Sequence, residues 1–214
     1  YMRYVFLPVL AKMGVRARIR VLRYGYYPRG MGAAELSVEP VEHLKPLLLE
    51  EFGSVRAVKG ISVCTFLEKR KVADRQAREA RELLAREGFE PEIEVVYDRS
   101  NPAQKGSSIV LWAETDEGAI LGADAIGELG KPAEVVGREA AEGLLAELRA
   151  RATADIHMAD MLVPYVALAE GRSAYLARSL TDHLETNVWL AEHILGARFE
   201  IKKLDGLYMI EKLA

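Results

Sequence analysis

A single histidine stands where an imidazole could serve as a nucleophile. In the stretch Leu180–Asn187, LTDHLETN, Asp182 is followed three positions later by Glu185, as in a capping box. Leu184, Val188, Ala191 and Leu195 then recur at helical spacing. The pattern predicts a helix that begins at Asp182 and carries His183 in its first turn. Thr186 and Asn187, at i+3 and i+4, fall on the same side, away from the apolar stripe. The positive end of a helix disfavours a protonated imidazole, so the position favours a neutral ring whose lone pair can attack phosphorus. Position alone fits an ordinary polar first-turn residue better.

A second polar cluster precedes it. In ADIHMADM, Asp155 has the character of an N-cap, and His157 and Asp160 at i and i+3 share a helix face. Leu162, Val166 and Ala169 would point from the same segment toward a core. Alone, this reads as a capped amphipathic helix with no chemistry. His193, in mid-helix, and His43, in a polar connection, take no role.

The elements that must position these residues follow from patterning. Half of the 214 residues are apolar, enough for a substantial core in one large or two small domains. The formal charge of −3 gives no global attraction to polyanions, so any such site is local. Cys64 is the one cysteine, which excludes an intramolecular disulfide and fits a reducing, cytoplasmic setting. No apolar run approaches membrane-spanning length.

Residues 4–38 read as helix (YVFLPVLAKM), Gly14, strand (VRARIRVLR), turn and strand (AAELSV). Residues 187–212 repeat that order: helix (NVWLAEHIL), Gly196, strand (RFEIKKL), an Asp205-Gly206 turn and strand (LYMIEK). The echo implies a fold assembled from copies of one small α/β module. Between the copies lies a self-contained βαβββα pattern. AVKGISVCTFL reads as a strand, VADRQAREARELLAREG as a helix with Ala73, Ala77, Ala80 and Leu84 on one face. Three further strands follow, the last two joined at Asp116–Gly118, and then a helix over Val135–Arg149. The charge-rich face of the Arg70–Arg86 helix reads as solvated surface.

Taken together, ADIHMADMLVPYVALAEG at Ala154–Gly171, LTDHLETNVWLAEHIL at Leu180–Leu195 and GYYPRGMG at Gly25–Gly32 resemble the RNA 3′-terminal phosphate cyclase family, in order along essentially the whole chain. The resemblance implies a mixed α/β (α+β) fold of repeated modules like the C-terminal domain of translation initiation factor three, with an inserted domain. The expected division is 1–53, the end of a core module; 54–152, the insert; and 153–214, the last core module carrying the histidine. Cyclases of this family have a sizeable region before the part matched here, with a glycine-rich opening and nucleotide contacts. The chain therefore resembles a C-terminal portion, and an open apolar face on the 4–13 helix would mark a missing partner segment.

The resemblance also implies chemistry. It makes His183 the residue that attacks the α-phosphate of ATP, giving a ligase that ends an RNA 3′-phosphate in a 2′,3′-cyclic phosphate and yields AMP and pyrophosphate. A divalent cation, magnesium or manganese, would offset phosphate charge. The nucleotide-contacting segment aligns on His157, Met158, Ala159, Asp160 and Met161, with Asn187 a further candidate to orient the ring or hold a phosphate oxygen. Many members carry glutamine where this chain has Met161, and a thioether cannot donate as an amide does. Met31 likewise interrupts the family's glycine cluster, which weakens any close backbone approach there. Tyr26 and Tyr27 beside Pro28 read first as a turn and second as a stacking surface.

Arg16, Arg18 and Arg20 alternate with Val15, Ala17, Ile19 and Val21, and no acidic residue precedes Glu35. The stripe is a candidate for RNA phosphates or a plain solvent-facing strand surface. The family includes cyclase-like members that assist ribosome assembly without catalysis, so a non-catalytic RNA-binding protein is the alternative to the enzyme. By itself the present chain is expected to be a weak or inactive catalyst.

Overall fold

The computed structural model describes residues 1–214. Met2–Phe6 winds as a π-helical turn and continues into helix α1 (Leu7–Lys12). Val5, Phe6, Val9, Leu10 and Met13 are buried, so the apolar stripe of this segment is covered. Gly14 ends the helix at φ +92°, a conformation glycine adopts without steric cost.

The chain then forms a two-stranded antiparallel ribbon of β1 (Arg16–Arg23) and β2 (Ala33–Glu39). Its register sets Ala17, Ile19 and Val21 opposite Val38, Leu36 and Ala34 on one face, and Arg16, Arg18 and Arg20 opposite Glu39, Ser37 and Glu35 on the other. Leu36 and Val38 remain 57% and 59% exposed. A lone two-stranded ribbon is marginal in water. This one leans on α1 at its base and on a loop of the next sheet at its tip.

After a short β3 (Leu48–Leu49) come β4 (Val55–Thr65), α2 (Val72–Arg86), β5 (Glu92–Asp98), β6 (Gly106–Thr115), β7 (Ile120–Ile126) and α3 (Ala133–Ala150). The α2 crossover makes β4 and β5 parallel, while β6 and β7 run antiparallel, in the order β5-β4-β6-β7. Ala73, Ala77, Ala80 and Leu84 of α2 are wholly buried, as their spacing predicts. At Gly137 a Cβ would lie 2.2 Å from the Gln76 carbonyl oxygen, so only glycine permits this approach of α3 to α2.

The charged face of α2 is not simply solvated. Arg75 grips Glu134 at 2.7 and 2.6 Å, and Arg138 reaches Glu79 at 2.7 Å, which ties α2 to α3. Helix periodicity locates such a face but says nothing of a second charged helix beside it. The opposite face of the sheet meets the opening segment, where the Tyr4 ring stacks on Trp112 with centroids 4.6 Å apart.

The last stretch holds α4 (Ile156–Met161), α5 (Val163–Leu168), β8 (Ser173–Ala177), α6 (Asp182–Leu195), β9 (Phe199–Lys203) and β10 (Tyr208–Lys212). The single helix expected from ADIHMADMLVP is two. Pro164 has no N–H to donate and sits in the first turn of a new helix. Beyond α6, Gly196 at φ +68° turns the chain into the β9–β10 hairpin. That hairpin joins the fully buried β8 in a sheet ordered β3-β8-β10-β9, and Tyr175 and Ile210 pack with Leu184 and Val188 of α6 in one core. No helix is long and apolar enough to cross a membrane.

Candidate active site

Helix α6 is capped one residue earlier than its sequence suggests. Thr181 has extended backbone dihedrals, its Oγ1 accepts a hydrogen bond from the Leu184 amide at 3.1 Å, and its carbonyl accepts one from Glu185 at 3.0 Å. Asp182 is therefore already helical, and the predicted capping box gives way to a threonine cap. Burial of Leu184, Val188 and Ala191 fixes the roll of the helix, which turns His183, in the first turn, out to solvent. The loop entering α6 is anchored from α3: Arg178 donates to Glu147 Oε1 at 2.9 and 3.1 Å. Burial raises the Glu147 carboxyl above its ordinary range, and Arg178 pulls it part of the way back.

Helix α4 faces that turn. Its cap, Asp155, is fully buried. Oδ1 accepts from the His157 and Met158 amides at 3.0 and 2.9 Å and from the Tyr1 hydroxyl at 2.7 Å, and Oδ2 accepts from the Gly122 amide at 2.7 Å. One carboxylate thus joins α4, the opening segment and β7. Burial pushes this carboxyl up, while these four donors hold it down.

Asp160, near the end of α4, is half-buried. Desolvation raises its carboxyl, and His183 first, then His157, draw it back down. Both histidines thus act on the Asp160 carboxyl. The two helices are pinned together by Asn187, whose Nδ2 donates to the Asp160 carbonyl at 3.1 Å. Such an arrangement suits nucleophilic attack on phosphorus. The imidazole becomes cationic as it bonds phosphorus, and a neighbouring carboxylate stabilises that charge.

Asn187 meets Asp160 across α6 and α4, and His183 and His157 both act on the Asp160 carboxyl, while the His157 ring packs edge-on to Tyr1. Other predicted contacts stand differently. Met158 and Ala159 are buried, the Ala159 carbonyl accepts from Tyr175 Oη at 2.6 Å, and the amides of His157 and Met158 already serve Asp155. Met161 is partly buried against the core. The arginine stripe is largely neutralised, because β2 returns acids against it: Arg16 meets Glu39 at 3.4 Å and Arg20 meets Glu35 at 2.6 Å. Only Arg18, opposite Ser37, has no acidic partner. The sequence placed no acid nearby in order, and cross-strand register supplied two.

No three His, Cys, Asp or Glu side chains converge into a metal-binding group, so this chain offers no ligand set to assign to a divalent cation. Sequence reasoning also missed Thr181 and Glu147. The first was legible, since threonine before an acidic first turn is a cap signal; the second depends on a contact between residues far apart in sequence.

A family model described as RNA 3′-terminal phosphate cyclase matches residues 1–201. Relatives bearing that name include a protein of Pyrobaculum aerophilum, 46% identical over 211 residues, which covers 99% of this chain and 60% of the relative. Those of Methanopyrus kandleri and Thermococcus gammatolerans are also 46% identical, covering 92% and 94% of this chain and 57% of each relative. The chain spans about three-fifths of the length of these relatives.

Proposed function

The chain belongs to the RNA 3′-terminal phosphate cyclase family, and from that premise we propose that it supplies the nucleophilic half of an ATP-dependent cyclase, with His183 as the adenylated residue. The observation that carries the reading is the solvent-facing His183 at a capped helix start, on a helix that Asn187 fastens to the Asp160 carbonyl of α4. His183 attacks the α-phosphorus of ATP, a nitrogen–phosphorus bond forms, and pyrophosphate leaves. An oxygen of the RNA 3′-phosphate then takes the AMP group and frees the imidazole. The adjacent 2′-hydroxyl attacks the activated 3′-phosphorus, its proton is released, and AMP departs. Activation makes the final leaving group good, and the 2′-hydroxyl is already beside its target.

In this mechanism Asp160 stabilises the charged imidazole, and Asn187 holds α6 against α4. The Asn187 amide oxygen stays free for the ring or a donor on the nucleotide. Met158 and Ala159, buried and with their backbone groups already paired, shape α4 and are assigned no contact with the nucleotide. A cation, where used, arrives on the phosphates of ATP; no step is assigned to it. The two helix–hairpin units are read as copies of a module like that of translation initiation factor three, with residues 54–152 inserted and a reducing, cytoplasmic setting.

The test is RNA turnover by a protein of the relatives' full length that contains this sequence. An oligoribonucleotide ending in 3′-phosphate should become resistant to phosphatase. The same oligonucleotide with a 2′-deoxy terminal sugar should stall as the adenylated end, because the closing nucleophile is missing. Cyclisation without ATP, or no adenylated species on the deoxy substrate, would overturn the reading.

A further inference from the structure

Two of the three ribbon arginines are ion-paired, and a denser group of unpaired cations gathers elsewhere. Three loops meet beyond the carboxyl ends of β4 and β5: Tyr24–Gly32 between the ribbon strands, Phe66–Lys71 before α2, and Arg99–Lys105 before β6. They are built into one surface by hydrogen bonds that centre on the buried Asn101 and Thr65. Asn101, with no exposed area, donates to the carbonyls of Tyr24 and Gly30 at 2.8 and 3.0 Å, and its Oδ1 accepts from the amides of Ala103 and Gln104. Gln104 Oε1 accepts from the Arg29 amide at 2.9 Å. Tyr26 Oη lies 3.1 Å from Thr65 Oγ1, which donates to Asp98 at 2.6 Å, and the Phe66 amide donates to the Asp98 carbonyl at 3.1 Å.

On this base sit Arg29, Lys69, Arg70, Lys71 and Lys105, all exposed and none in an ion pair. The acid within these loops, Glu68, is taken by Arg99 at 2.6 Å. Two aromatic rings stand among them: Tyr27 is 93% exposed and Phe66 40%. Folding hides apolar rings where it can, so an almost bare tyrosine on a hydrogen-bonded loop is a feature to explain. Strain points to the same place. Of four non-glycine residues at positive φ, Met31, Phe66 and Lys71 adjoin or lie on these loops, and such strain concentrates where ligands are held.

We propose that these three loops form a binding surface for single-stranded RNA, with Tyr27 and Phe66 stacking on bases and the unpaired lysines and arginines meeting phosphates. Uncompensated cations beside exposed rings on a rigid platform suit a single strand, because every base offers a stacking face. An acidic protein segment would satisfy the cations and leave the rings unused. The choice of RNA rests on the substrate reading above; the surface itself does not depend on His183.

The test uses a fluorescent oligoribonucleotide and a sulfated polysaccharide as a polyanion without bases, each titrated against the 214-residue chain and against a full-length form while salt is varied. Circular dichroism and thermal unfolding show that each variant folds. Lys69→Ala/Arg70→Ala/Lys71→Ala should weaken RNA binding about tenfold at low salt and flatten the logarithmic salt slope by about two, at about 0.7 for each phosphate left without its cation. Tyr27→Ala should weaken RNA about fivefold or more and leave the polysaccharide unchanged, since stacking needs a base. RNA affinity unmoved by both variants would overturn the proposal. So would loss of RNA and polysaccharide alike in the triple variant with no effect of Tyr27→Ala, which would mark a general polyanion surface. Adenylation of the full-length triple variant by ATP alone should match the parent; if adenylation fails in both, the enzymatic reading fails while the RNA titration still decides this one.

Discussion

Two units of the same element order keep different company. Each is a helix, a left-handed glycine at Gly14 or Gly196, and an antiparallel hairpin. The later unit lays its hairpin against β8, and Ile210 is 1% exposed. The earlier hairpin forms no sheet with any other strand and leaves Leu36 57% exposed. The capped helix with an outward histidine belongs to the unit whose hairpin is buried; the other helix starts as a π-turn with no side-chain cap. A reactive side chain needs a fixed frame, and here the frame is the core that α6 shares with α4, α5 and the β8–β10 sheet.

The comparison can be broken at its strongest joint. Asp155→Ala removes the one acceptor shared by Tyr1, Gly122 and the first turn of α4. It orphans several buried donors and should cost about 3 kcal/mol or more in urea unfolding. A loss under about 1 kcal/mol would mean that the opening segment is not tied to the site.

Next in size is a matched pair of truncations. Ile210→Ala in the later hairpin should cost about 2–4 kcal/mol, whereas Leu36→Ala in the ribbon should stay within about 0.5 kcal/mol. Equal losses would erase the distinction between the units. Thr181→Ala should cost about 1 kcal/mol of stability and lower the adenylation rate, because the turn carrying His183 loses its cap; Asp182→Ala should leave that turn in place.

The smallest effect is a pH limb. Arg75 holds the Glu134 carboxyl down to about 2, below its ordinary range. Its folded value lies below the unfolded one, so the pair stabilises the fold above about pH 4.3 and that contribution fades as pH falls toward 2. Glu134→Gln should lower stability slightly at neutral pH, where the pair is fully formed, and flatten this acid limb in urea unfolding, so that variant and parent converge as pH falls toward 2.

Much of the later unit was legible because it rests on local signals. The spacing of Leu184, Val188 and Ala191 placed a helix and its outward face, and Gly196 marked its end. The cap slipped by one residue because Thr181 and Asp182 both favour that position, and backbone dihedrals rather than side-chain type decide between them. Pro164 divided a helix that apolar spacing alone would have run through. What could not be read was distance-spanning. Glu39 and Glu35 neutralise the arginines only in the observed register, α2 meets its acids on α3, and Asp155 finds Tyr1 from 154 residues away.

The central claim is that His183 carries AMP. Full-length protein incubated with ATP labelled at the α-phosphate, with divalent metal, should acquire label that is released by acid and is stable to base, as expected for a nitrogen–phosphorus bond. His183→Ala should lose it, and His157→Ala should keep a measurable fraction. Label that persists in His183→Ala would contradict the account.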